Sequence, residues 1–138
     1  MTNATDLLMD LLKIPSPTYE EDKKAAYLKK WCNHNLPNFS LNEIGNNLVY
    51  SKINKNKKTL AFVGHTDTVP PFFPPYIKDN KMYGSGASDM QAGIACFLNF
   101  VKSNLNKLTQ DYSIVIILYD KEEGTPLHEN GLNECIKA

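Results

Sequence analysis

The stretch Thr59-Leu60-Ala61-Phe62-Val63-Gly64-His65-Thr66-Asp67-Thr68 begins as a near-continuous apolar run and turns abruptly polar, with His65 and Asp67 two residues apart. The apolar half suits a strand buried on both faces. In open α/β sheets, ligands and catalytic groups collect just beyond the carboxyl ends of the strands. His65 and Asp67 fall at such a place. By itself the pair reads more readily as a capped strand end with a surface histidine, because short motifs match by chance. A second strand shifts the balance. Tyr112-Ser113-Ile114-Val115-Ile116-Ile117-Leu118-Tyr119, rich in β-branched residues, runs straight into Asp120-Lys121-Glu122-Glu123-Gly124.

Between the two strands, Gly84-Ser85-Gly86-Ala87-Ser88-Asp89 forms a glycine-bearing loop entering a helix that begins at Met90 and ends near Asn104. Gly-x-Gly before a helix can cradle phosphate. The lack of a suitably placed third glycine, and an acid where phosphate would sit, argue against that here. One imidazole and several carboxylates at neighbouring strand ends instead suit zinc or a similar divalent ion. Asp89 is placed to bridge two ions, favoured also by the helix N-terminus. Asp67 is placed to accept the second ring N–H of His65 and fix its tautomer. Adjacent glutamates on extended chain point in opposite directions. One of Glu122 and Glu123 is therefore expected as a ligand, and its neighbour as the general base acting on water activated by the ion.

The bulk properties narrow the surroundings. The chain has 138 residues, one domain's worth, with 42% apolar and 22% charged residues, ordinary values for a globular protein. Net charge is zero, which offers no attraction for nucleic acid or an anionic membrane. No apolar run approaches the roughly 20 residues of a membrane span. Met1-Thr2-Asn3-Ala4-Thr5-Asp6 lacks the basic start of a secretory leader. Cys32, Cys96 and Cys135 form no Cys-x-x-Cys pair. They argue for a reducing cytoplasm, against a thiolate zinc site, and each reads as a small buried hydrophobe.

Outward from the central strand, Leu7, Leu8, Leu11 and Leu12 have helical spacing, and Pro15-Ser16-Pro17 stops that helix. Thr18-Tyr19-Glu20-Glu21 reads as a capping box for a second helix burying Ala25, Leu28, Trp31 and Cys32, with His34 solvated near its end. Phe39 to Ile44 and Leu48 to Ile53 are strands of a hairpin turned at Gly45-Asn46-Asn47. Four prolines in Pro70-Pro71-Phe72-Phe73-Pro74-Pro75 make a stiff loop over the strand ends. Tyr76-Ile77-Lys78 and Lys81-Met82-Tyr83 flank Asp79-Asn80 as a small hairpin, and Gly131 to Ile136 begins a last helix, with His128 in the loop before it.

Three blocks, Gly64-His65-Thr66-Asp67-Thr68-Val69-Pro70, Tyr83-Gly84-Ser85-Gly86-Ala87-Ser88-Asp89-Met90 and Glu122-Glu123-Gly124, resemble the co-catalytic zinc deacylases and exopeptidases in order and spacing. That group includes desuccinylases, acetylornithine deacetylase, aminoacylase and carboxypeptidase G. Tyr119-Asp120-Lys121-Glu122-Glu123 followed by Asn130-Gly131-Leu132 looks most like its desuccinylase subgroup. The resemblance implies a three-layer α/β/α domain with a mixed central sheet. It implies His65 on a first zinc, Asp89 bridging, Glu123 on a second zinc, Glu122 as general acid/base, and Asp67 orienting His65. Cobalt or manganese are alternatives to zinc. A cis peptide at Asp89-Met90 is implied as well. The chain departs from the family pattern at Ser85, where arginine is usual, and at Gln91-Ala92, where Lys-Gly is usual.

Residues 1–138 then correspond to the N-terminal part of the catalytic domain. The further ligands, the second domain and its homodimer contact are expected beyond them. The implied substrate is an N-acyl amino acid, N-succinyl-diaminopimelate first, and these residues alone are expected to be weakly active or inactive. The rival is a truncated remnant with a partial metal site, or a binding module using the proline-lined cleft.

Overall fold

A computed structural model describes residues 3–138. Met1 and Thr2, the start of the segment read for a leader, lie outside the described residues. Helix α1 (Ala4–Leu12) opens with a capping box in which the Asn3 side chain accepts from the Asp6 N–H and the Asp6 carboxylate accepts from the Asn3 N–H. Helix α2 spans Asp22–Asn35, and β1 (Ser40–Ile44) and β2 (Asn47–Lys52) form the hairpin. Strand β3 covers Lys58–His65; β4 (Tyr76–Lys78) and β5 (Lys81–Tyr83) make the small hairpin. Asp79 and Asn80 turn it with positive φ, as a tight two-residue connection requires. A π-helical turn (Ala87–Gln91) leads into α3 (Ala92–Asp111), followed by β6 (Tyr112–Tyr119) and α4 (Gly131–Lys137).

The main sheet has the order β1-β2-β6-β3. β3 lies parallel to β6, while the β1–β2 and β2–β6 pairs are antiparallel, which gives the mixed sheet of the expected α/β class. Leu7, Leu11, Leu28, Trp31, Ile94 and Leu98 from the first three helices pack with Leu48, Tyr50, Ile114, Ile116 and Leu118 of the sheet. β3 differs from its reading as a strand buried on both faces. Only one of its faces is covered: Leu60 and Phe62 pack toward the core, whereas Ala61 and Val63 face outward and are exposed. An unbroken apolar run does not reveal that only one face is covered.

The β3–β6 register brings the two strand ends level, with His65 opposite Tyr119, and the Thr66 N–H donates to the Tyr119 carbonyl at 2.8 Å. Gly64 permits this. A Cβ there would lie 2.9 Å from Ile94 Cγ1, 3.0 Å from Met90 Cε and 3.2 Å from Phe97 Cε1. Gly64→Ala is expected to destabilise the fold by about 1–3 kcal/mol through overpacking, read as a lower urea midpoint. An unchanged midpoint would show that α3 shifts freely.

Three further expectations are corrected. Helix α3 does not end near Asn104; it breaks there (φ −118°) and resumes to Asp111, because Leu105 and Leu108 still pack against the core. Cys96 is exposed rather than buried, since it lies off the face of α3 that carries Ile94, Ala95, Leu98 and Val101. Thr18-Tyr19-Glu20-Glu21 does not cap α2, which starts at Asp22 without a side-chain cap. The side chains of Thr18 and Glu21 are used at the strand ends instead.

Candidate metal centre

His65 ends β3 with its side chain 5% exposed, and its Nε2 lies 3.0 Å from Asp89 Oδ1. Asp89 comes from the π-helical turn, which Gly86 enters in the left-handed region at φ 75° and where the Asp89-Met90 peptide is cis, as the resemblance implied. Glu123 comes from the turn after β6. Ligand atoms of His65, Asp89 and Glu123 all lie within 4.8 Å of one another. Glu122 Oε2 is 3.8 Å from His65 Nε2. The chain is not extended at the two glutamates, since Lys121 takes φ 55° and a turn follows. Both carboxylates therefore reach the same place, where alternation on a strand would have separated them.

Asp67 organises this turn from beneath. Its carboxylate is fully buried and accepts from the Glu123 N–H at 2.9 Å, from the Glu122 N–H at 3.1 Å, and from the Thr18 hydroxyl at 2.9 Å. His65 Nδ1 lies 3.1 Å from the main-chain oxygen of Asp67 and 3.4 Å from Oδ1. The expected His65–Asp67 contact thus forms, with the carbonyl as the nearer acceptor. Burial alone would lower the His65 pKa; the hydrogen bonds and charges of Asp67, Asp89 and Glu122 outweigh it and raise the value to about 9. Burial likewise pushes the Asp67 carboxyl up, but the bonds from His65, Glu123, Glu122 and Thr18 prevail and hold it below its ordinary value.

An imidazole nitrogen and two carboxylates at these separations match the cage of an ion bound at roughly 2.0–2.2 Å from each donor. The donor set also suits one chemically, being borderline nitrogen with hard oxygen. Among the described residues the acids here have His65 as their close cation; the Lys121 ammonium lies 3.7 Å from Asp120 Oδ1 instead. Beside Asp89 and Glu123 opens a cleft of about 820 Å³ walled by Val69, Phe73, Met82 and Tyr83. The Ser85 hydroxyl accepts the Phe73 N–H at 2.8 Å and so ties the proline loop to the floor.

Some residues of the site were not foreseen. Thr18 and Glu21 were read as a helix cap, yet Thr18 bonds Asp67, and the Glu21 carboxylate accepts from the Lys121 N–H at 3.2 Å. The same residue types serve both uses, so the pattern was visible and its purpose was not. His34 and His128 stay away from the site: His34 is exposed and the His128 side chain is 80% exposed beside Glu129.

A mixed α/β sheet that gathers imidazole and carboxylates at adjoining strand ends is an arrangement able to hold a divalent ion. The chain belongs to peptidase family M20/M25/M40, whose sequence pattern matches residues 61–138. It is 32% identical over 131 residues to the succinyl-diaminopimelate desuccinylase of Sulfurovum sp. (strain NBC37-1), covering 88% of this chain and 34% of that protein. Among solved structures it is similar to an M20 family metallo-carboxypeptidase from Sulfolobus solfataricus, with TM-score 0.77 and 26% identity over 99% of this chain and 34% of that one. A dinuclear metal-binding peptidase of the M20 family from Bacillus subtilis shares the fold, with TM-score 0.62 and 13% identity over 87% of this chain and 35% of that one. The chain spans about a third of the length of these relatives.

Proposed function

We propose that this chain is the N-terminal part of the catalytic domain of a metal-dependent amide hydrolase acting on N-acyl amino acids, with N-succinyl-diaminopimelate as the first-choice substrate. The observation that carries this is the convergence of His65, Asp89 and Glu123 within 4.8 Å beside Glu122. His65, Asp89 and Glu123 would hold zinc, with Asp89 shared between two ions in the complete protein and cobalt or manganese as alternatives. A divalent ion in such a site polarises an acyl carbonyl and lowers the pKa of water toward neutrality. Glu122 accepts the proton of the attacking water and returns it to the leaving amine. Asp67 holds His65 and the Glu122-Glu123 turn in place, and the cleft beside Asp89 receives an arm of the substrate. The 32% identity to a desuccinylase supports the choice of acyl group. The second domain, and a homodimer formed through it, belong to the same proposal.

The test joins residues 1–138 to the remaining two-thirds of the Sulfurovum desuccinylase. Release of succinate from N-succinyl-diaminopimelate is compared with cleavage of N-acetyl amino acids and dipeptides, with and without zinc. Zinc-dependent preference for the succinyl substrate is expected, with Glu122→Gln slowing turnover about 10²–10⁴-fold. Preference for dipeptides would replace the substrate, and no turnover together with no metal uptake would remove the hydrolase reading.

A further inference from the structure

Lys24 of α2 is only 1% exposed, although lysine is almost never fully buried without a counter-charge. Its ammonium donates to the Leu11 carbonyl at the end of α1 (2.7 Å) and to Gln91 Oε1 (3.3 Å). Both acceptors are neutral, and burial brings its pKa down to about 7. Gln91 is itself fully buried. The far end of its amide, Nε2, donates to the Thr66 carbonyl at 3.2 Å, and its main-chain N–H donates to the Gly86 carbonyl at 2.9 Å. An oxygen toward an ammonium and an NH₂ toward a carbonyl leave this amide one sensible orientation. A buried polar chain therefore runs from the end of α1 through Lys24 and Gln91 to Thr66. It passes two residues from Asp89 and ends on the residue after His65.

We propose that Lys24 is a positioning residue. Through Gln91 it clamps the Asp89-bearing turn onto the His65-bearing strand end, and so sets the spacing between imidazole and carboxylate. The functional half of this rests on the metal-centre reading; the Lys24–Gln91 pairing rests on the hydrogen bonds alone. A lysine at 91 has three donors, enough for the Leu11 and Thr66 carbonyls together. The two positions are therefore exchangeable as a pair but not singly.

Zinc affinity and urea unfolding of the chain, measured for Lys24→Met, Gln91→Lys and the double variant, test this. Each single change is expected to weaken zinc binding about tenfold or more, the range seen when groups behind the ligands are lost. The double variant is expected to return to within about threefold of the parent, and its unfolding midpoint to lie above the value obtained by adding the two single changes to the parent's. Parental affinity in Lys24→Met overturns the positioning role. Additive unfolding changes overturn the pairing. If Lys24→Met fails to fold, Gln91→Met carries the same prediction from the other side, and the unfolding cycle is run with Lys24→Gln. A parent chain that binds no zinc refutes the metal centre instead. The unfolding cycle then decides alone: non-additivity sustains the clamp, and additivity overturns it.

Discussion

Asp89→Ala is expected to weaken zinc binding by this chain at least 100-fold while leaving the fold intact. The two halves of that result have separate causes. The Asp89 side chain is 77% exposed, so its removal opens no cavity; it costs the His65 imidazole the acceptor 3.0 Å from Nε2 and leaves Glu122 Oε2 at 3.8 Å as the nearest carboxylate. The Asp89 carboxylate belongs to the cluster in which all ligand atoms lie within 4.8 Å. Groups that merely support a ligand are worth roughly 10–100-fold in metal affinity, and a direct ligand should exceed them. His65→Ala should lose as much affinity but is a less clean probe, because the imidazole is nearly buried and its removal leaves Asp67 with one partner fewer. Competition with a chromophoric chelator, run beside far-ultraviolet circular dichroism, reads both quantities. An unchanged affinity in Asp89→Ala would mean that the π-helical turn does not deliver its carboxylate to an ion. The proposed hydrolase would then lose the observation that carries it.

The parts of this site legible in the sequence were those whose chemistry sits at the end of a patterned element. Ile114, Ile116 and Leu118 mark β6 as a strand, and Glu122-Glu123 follow it directly. Gly84 to Asp89 announces a turn into a helix. Local pattern was insufficient where burial depends on what lies across the fold. Val63 and Ala61 are as apolar as a buried strand requires, yet they are exposed because the first three helices pack on the sheet face that carries Leu60 and Phe62, and side chains alternate between the two faces. The supporting contacts were hidden for a related reason. Thr18 meets Asp67 across 49 positions, Lys24 meets Gln91 across 67, and Glu21 meets the Lys121 N–H across 100. None of these pairs leaves a periodic trace. A buried lysine on a helix reads as one more solvated charge until the fold closes over it.

Asp67→Asn is expected to destabilise the metal-free chain by about 3–5 kcal/mol near pH 5–6, the usual consequence of breaking a buried, hydrogen-bonded charge pair from one side. The carboxylate is fully buried, and every partner it has is a donor: Thr18, the Glu122 and Glu123 N–H groups, and His65. An amide keeps one acceptor oxygen and aims an NH₂ at those donors, so the loss exceeds a single hydrogen bond. The pH dependence distinguishes this cause from simple loss of packing. Asp67 has a folded pKa below its ordinary 3.8, so its contribution is present above that value and disappears as pH falls through the depressed one. His65 is raised from 6.5 to about 9, so its contribution is complete below 6.5 and disappears as pH rises through 9. Lys24 runs the other way. With its pKa lowered from 10.5 to about 7, the unfolded chain holds more protons over that interval and stability rises with pH. The parent curve alone therefore mixes opposing trends, but Lys24 is common to parent and variant and cancels in their difference. That difference, from urea unfolding in a chelator between pH 3 and 10, should be largest between about 4 and 6.5 and should shrink toward both ends. A difference flat across the whole range would mean that Asp67 acts by shape alone and that its pairing with His65 contributes nothing.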